Sequence, residues 1–164
     1  MDKRPGLTGL VVGQKSARGP SHLPQKMSRG LVDALAGVPL FAGLSRRHLT
    51  RIAGLASSKR YAAGSALVKA GAPGESVFVI LDGRAVVRAG ARRIGLGIGD
   101  FFGEMSLLDG EPRSATVTAQ TDVLVMMIPR RKFLKLLANE PRIAIAVMST
   151  LSRRVRALQA AASV

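Results

Sequence analysis

Two charged residues of opposite sign, Glu104 and Arg113, stand nine positions apart in a stretch that reads Phe101-Phe102-Gly103-Glu104-Met105-Ser106-Leu107-Leu108-Asp109-Gly110-Glu111-Pro112-Arg113-Ser114-Ala115-Thr116. Glycine lets backbone approach a ligand closely, and a short helical turn beginning near Glu104 would aim free N–H groups outward, which suits an anion. Arg113 can grip two phosphate oxygens through its planar fork, with the Ser114 hydroxyl and the following amides as further donors. A second negative charge beside phosphate would repel it, so Glu104 must serve another group, and a carboxylate accepts hydrogen bonds from a sugar hydroxyl. Together the two side chains describe a ligand carrying both ribose and phosphate. Met105, Leu107 and Leu108 are expected to anchor the stretch to a core and limit competing water. A lone Glu or Arg on a loop is more often a surface charge; the spacing is what makes this set informative.

These residues must be held by the elements on either side. Between residues 61 and 128, short β-branched runs are broken by glycine at close intervals, the texture of about eight short strands in a sandwich or jelly roll. Runs at 77–81 and 85–87 flank Asp82-Gly83, and Asp-Gly supports the positive backbone angles of a tight hairpin, so a hairpin is predicted there. Further runs fall at 94–98, 115–119 and 123–128. Ahead of the strands, Ser28 precedes a helical face of Leu31, Val32 and Leu35, and Ser45 is placed to cap a second helix. In that helix Leu49, Ile52, Ala53 and Leu55 form the apolar stripe while Arg46, Arg47 and Arg51 face water. After Pro129, helical spacing resumes with Phe133, Leu136 and Leu137, and Pro141 starts another helix. There Ala144, Val147, Met148, Leu151, Val155 and Leu158 form a stripe that must bury against the barrel or against the same helix of a second subunit.

The predicted organisation is a basic flexible arm over 1–27 and one domain over 28–164, with helices in 28–57, a β-barrel in 58–129 and C-terminal helices in 130–160. Hydrophobic residues make up 47% of the chain but aromatics only 4%, so the core is expected to be aliphatic. The formal charge of +15 is concentrated at the ends: six Lys/Arg against Asp2 in residues 1–30, and eight against Glu140 in residues 130–164. Basic ends attract anionic partners. Scattered arginine without stacking aromatics makes nucleic acid the less favoured of them. Absence of cysteine excludes disulfides and thiol catalysis and fits a reducing interior. No apolar run approaches the roughly 20 residues that span a bilayer, so a soluble, cytoplasmic chain is expected. His22 and His48 lie apart, and the acids show neither paired-carboxylate nor metal-ligand spacing, so no catalytic residue, metal site or cofactor is assigned.

The 101–116 stretch closely resembles the phosphate-binding cassette of the cyclic-nucleotide-binding domain family, which includes bacterial catabolite-activator-type regulators, cyclic-nucleotide-dependent kinases and nucleotide-gated channels. The family's Phe-Gly-Glu falls on Phe102, Gly103 and Glu104, and its Pro-Arg-Ser/Ala-Ala on Pro112, Arg113, Ser114 and Ala115. Upstream, Gly71, Gly74-Glu75-Ser76, Phe78-Val-Ile and Asp82-Gly83 extend the likeness, which covers roughly residues 31–160. The resemblance implies a mainly β fold with flanking α: an eight-stranded double-stranded β-helix, or jelly roll, with N-terminal and C-terminal helices. It implies ligand-binding roles for Phe102, Gly103, Glu104, Met105, Ser106, Arg113, Ser114 and Ala115, with glutamate on the ribose 2′-hydroxyl and arginine on the cyclic phosphate. Arg153-Arg154 resembles an Arg-Arg pair on the terminal helix of the bacterial regulators, placing Arg154 within reach of Glu104. Serine at 114 leaves cyclic AMP and cyclic GMP both open as ligands.

With the sequence ending at Val164, a standalone sensor without a helix-turn-helix is expected. It would relay binding through its C-terminal helices to a protein partner or a second copy. The alternative is a nucleotide-independent interaction module that binds anionic partners through its basic ends.

Overall fold

The computed structural model describes residues 25–162. The expected basic arm up to residue 24, with His22, lies outside the described residues. The first helix, α1 (Gln25–Ala36), starts three residues before the expected capping Ser28 and runs through it. A 3-10 turn at Pro39–Phe41 leads to α2 (Arg46–Leu55), which Ser45 caps as predicted by accepting a hydrogen bond from the His48 amide.

Eight strands follow: β1 (Ser57–Tyr61), β2 (Ala66–Val68), β3 (Ser76–Asp82), β4 (Ala85–Ala89), β5 (Arg92–Leu96), β6 (Phe101–Phe102), β7 (Thr116–Ala119) and β8 (Val123–Pro129). They form two antiparallel four-stranded sheets, ordered β1-β8-β3-β6 and β2-β7-β4-β5, which is the expected jelly roll. The helix α3 (Glu104–Asp109) lies between β6 and β7, and α4 (Arg130–Asn139) and α5 (Pro141–Ala162) follow the barrel.

Side-chain alternation along β3 divides the apolar interior in two. Phe78 and Ile80 point between the sheets, where they meet Leu67, Ala85, Leu96, Phe102, Val117, Val123 and Val125. Val77 and Val79 point the other way, into a second cluster that α1, α2, α4 and α5 build with Leu35, Ile52, Phe133, Ile143 and Val147. A strand buried on both faces reads as a continuous apolar run, which is why 77–81 shows no alternation of polarity.

The predicted hairpin at Asp82-Gly83 does not form. Gly83 does adopt a positive φ of 86°, and a Cβ there would lie 2.1 Å from the Asp122 carbonyl. Its flanking strands nevertheless belong to different sheets: β3 pairs with β6 and β8, β4 with β5 and β7. The turn carries the chain across the sandwich. Local turn chemistry sets backbone angles, whereas partner choice follows from where each strand buries its faces. The hairpin that does form joins β4 to β5.

The long helix α5 also departs from expectation. Its buried face comprises Ile143 and Val147, continues through the half-buried Leu151 and ends at Arg154, while Met148, Val155 and Leu158 of the expected stripe are exposed. Arg142 ties the start of α5 to the α1–α2 connection by donating to the Gly43 carbonyl at 3.1 Å.

Packing of α4 on the helical cluster is directly testable. Phe133 is 1% exposed and its neighbour Leu134 is 37% exposed. Urea unfolding should show Phe133→Ala losing about 3–5 kcal/mol and Leu134→Ala within about 1 kcal/mol of the parent chain. Equal losses would contradict the packing.

Candidate functional site

The strand β6 ends at Phe102, whose ring stacks on Phe78 of β3 with centroids 4.9 Å apart. The chain then turns through Gly103 at φ 86°, ψ 0° into α3. No other residue fits this bend: a Cβ would lie 2.6 Å from Arg113 Nη1 and 3.1 Å from the Ser76 carbonyl oxygen, in a conformation that L residues rarely adopt. Leu107 is fully buried and anchors α3, as expected. Met105 and Leu108 do not, being 49% and 44% exposed. On a helix of six residues only one side faces the barrel, and that side carries Glu104, Ser106 and Leu107. Ser106 packs so closely on Gly74 that a Cβ at Gly74 would come within 2.2 Å of its own.

Arg113 is 7% exposed and held from several directions. Its backbone donates to the Ala72 carbonyl and accepts from the Gly71 amide, both at 2.8 Å. Its Nη1 donates to the Gly103 carbonyl at 2.7 Å and Nη2 to the Ser76 carbonyl at 2.6 Å. The guanidinium carbon sits 5.6 Å from the centroid of the Phe78 ring. Burial lowers the pKa of Arg113 below the usual guanidinium value, with the charges of Glu104 and Glu75 acting in the opposite sense.

Glu104 is 1% exposed. One of its oxygens, Oε1, accepts a charge-assisted hydrogen bond from Arg154 Nη1 on α5. Arg154 Nη2 donates to the Phe101 carbonyl at 2.6 Å, and its guanidinium lies 5.2 Å from the Phe101 ring centroid. The other oxygen, Oε2, is buried without a hydrogen-bond partner. Burial raises the Glu104 pKa above the ordinary carboxylate range, opposed in turn by Arg154, by its own backbone amide and by Arg113.

A cleft of about 420 Å³ opens over Arg113, within the roughly 300–1,000 Å³ typical of small-molecule sites. Val68, Ala72, Glu75, Ser76 and Phe78 line it with Arg113. Of the residues singled out in the sequence, Gly103, Glu104, Arg113 and Arg154 come together. Phe102 supports them from inside the barrel, and Ser106 packs α3 against Gly74. Ser114 is exposed and Ala115 partly so, beside Arg113, while Met105 faces solvent. Glu104 does not line the cleft; its carboxylate is engaged by α5.

Sequence reasoning did not assign roles to the Ser76 and Gly103 carbonyls, to Phe78 beneath the guanidinium, or to Phe101 under Arg154. Backbone acceptors carry no side-chain signature. The pair Phe78 and Phe102, two of five phenylalanines in an aromatic-poor chain, was the available signal.

The profile of the family described as Cyclic nucleotide-binding domain matches residues 58–140. The chain is 36% identical over 120 residues to a cyclic nucleotide-gated potassium channel of Rhizobium etli, covering 73% of this chain and 34% of the channel. It is 37% identical over 112 residues to a cAMP-dependent protein kinase regulatory subunit of Aspergillus fumigatus, covering 63% and 26%. The chain therefore spans about a third or less of the length of these curated relatives. Among solved structures it is similar to cAMP-bound PfPKA-R, with a TM-score of 0.76 and 28% identity over 84% of this chain and 48% of that one. The catabolite activator protein of Thermus thermophilus gives a TM-score of 0.68 and 27% identity, covering 76% and 51%.

The raised pKa of Glu104 has a defined consequence for stability. The folded chain holds this proton more tightly than the unfolded chain, so the associated stabilisation is fully present below the ordinary value near 4.5 and is lost as pH rises through the folded value. As pH rises from the ordinary value near 4.5, the unfolding free energy of the parent chain should therefore fall relative to that of Glu104→Gln. A difference that stays constant over this rise would contradict the assignment.

Proposed function

This chain belongs to the cyclic nucleotide-binding domain family, and from that premise we propose that it binds a cyclic nucleotide, cAMP foremost, and transmits occupancy through α5. One observation carries the proposal: a buried acceptor with no partner, Glu104 Oε2, adjoins the same glycine bend as a buried guanidinium with donors to spare. A guanidinium has five N–H groups, and the Gly103 and Ser76 carbonyls use two of them. Three are left for a cyclic phosphate. An ionised carboxylate only accepts, so Oε2 is matched to a donor such as the ribose 2′-hydroxyl. Ser114 and the Ala115 amide complete the phosphate side, and Val68 and Ala72 offer apolar wall to the sugar and base.

The named ligand of the PKA-type relatives supports cAMP over cGMP, since the similar regulatory-subunit structures carry cAMP or a cAMP derivative. The reading is one of binding: Glu104 and Arg113 act as ligands to the nucleotide.

The relay follows from shared occupancy of one carboxylate. Arg154 holds Glu104 by one oxygen, and a 2′-hydroxyl would engage the other. Ligand binding and the docking of α5 therefore act on the same charge, and an interaction shared by two sites is what links their equilibria. Through the half-buried Leu151 and the buried Val147, a shift at Arg154 reaches the helical cluster. A protein partner or second copy would read the altered α5.

Calorimetry with cAMP should show Arg113→Ala weakening binding by about 10- to 100-fold, the worth of charge-assisted hydrogen bonds removed from a buried site. Unchanged affinity would remove the phosphate clamp. For the relay, hydrogen exchange of the α5 amides should respond to cAMP in the parent chain and lose that response in Arg154→Ala. Exchange that is insensitive to cAMP in the parent chain would contradict it.

A further inference from the structure

A second concavity, larger than the cleft over Arg113 at about 580 Å³, lies between α2 and α4. It shares no lining residue with that cleft. Ile52 and Leu136, 1% and 7% exposed, make its floor together with the half-buried Leu55. Arg51, Lys132 and Lys135 stand around it as exposed cations. The acid in its wall, Glu140, faces His48 Nε2 at 3.5 Å.

The charge on this rim is unbalanced. Nearby Arg46 is paired with Asp33 at 2.8 Å, and Arg130 donates to the Leu107 carbonyl at 3.1 Å, so both have structural work. Among the described residues, no ion pair involves Arg51, Lys132 or Lys135. Lys132 reaches only the Leu55 carbonyl, at 3.5 Å. Three like charges around the half-buried Leu55 repel one another and leave its apolar surface partly in water, and an occupant with carboxylates flanking an aliphatic anchor would relieve both costs.

We propose that the α2/α4 groove docks an acidic peptide segment of a protein partner, with carboxylates on Arg51, Lys132 and Lys135 and an aliphatic side chain seated against the half-buried Leu55. Nucleic acid fits less well. The lining contains no aromatic platform on which bases could stack. This inference stands on the groove alone and is independent of the nucleotide reading, so its test uses the chain without nucleotide.

Gly54 supplies a steric control that leaves every charge in place. It lines the groove from within α2, and a Cβ there meets nothing within 4 Å, so a longer side chain at this position projects into the groove while favouring the helix. Fluorescence anisotropy would follow three labelled probes: a peptide of repeated Glu-Glu-Leu-Leu units, its Lys-Lys-Leu-Leu counterpart and a mixed-sequence single-stranded DNA. The acidic peptide should bind, the basic one should not, and affinity for the acidic peptide should drop at least about tenfold both in Lys132→Glu/Lys135→Glu and in Gly54→Met. Failure of the acidic peptide to bind would overturn the proposal, as would binding that survives both changes. DNA binding that is tighter than the peptide's and lost in the same two variants would assign the groove to nucleic acid instead.

Discussion

The buried charge of Glu104 is the constraint around which the molecule is arranged. A carboxylate removed from water to this degree is costly unless a cation and hydrogen bonds compensate it, and the cation that touches it arrives on α5, fifty residues later in the chain. To deliver Arg154 there, α5 must be docked on the rest of the domain, which it is through Ile143, Val147 and Leu151 at helical spacing, packed in the helical cluster beside α4 and the 3-10 turn. The buried stripe of the helix thus ends in a guanidinium. Apolar packing positions the ion pair, and the pair in turn fixes the far end of the helix. Replacing such a pair by apolar residues is often neutral or stabilising, whereas removing one partner alone leaves an uncompensated buried charge.

The second guanidinium depends on the barrel rather than on the helices. Arg113 is aimed by two carbonyls, one on β3 and one at the Gly103 bend, and lies over the ring of Phe78, which itself stacks on Phe102. Because β3 is buried on both faces, the strand that orients Arg113 also carries Val77 and Val79 into the helical cluster. The two sides of the site are therefore joined by one strand as well as by the α3 bend. That strand places the cleft and the helical cluster on its two faces.

Much of this was legible in the sequence because the 102–115 segment is contiguous: spacing and residue chemistry are both visible in one line of text. The Ser45 cap and the eight-stranded jelly roll were legible for the same local reason, through side-chain chemistry and glycine-punctuated apolar runs. What escaped was set by long-range geometry. Asp82-Gly83 fixed its turn angles but not the sheet of the strand that follows. Met105 and Leu108 are as apolar as Leu107, yet a six-residue helix has only one inward face. In α5, Met148, Val155 and Leu158 share a plausible stripe, but the contact with the helical cluster runs along Ile143, Val147 and Leu151, and the polar Arg154 extends that face. Arg154 itself was reached by resemblance, since nothing local to residues 150–160 marks one arginine as the partner of a buried carboxylate. That Glu104 is buried outside the cleft lining, engaged by α5, is likewise invisible without the fold.

A crystal structure of the chain grown with cAMP tests the central claim most directly. The account predicts the cyclic phosphate within hydrogen-bonding distance of the Arg113 guanidinium and the ribose 2′-hydroxyl on Glu104, with Phe102 and Gly103 still forming the bend. Nucleotide bound elsewhere, or bound with its phosphate away from Arg113 and its ribose away from Glu104, would contradict it.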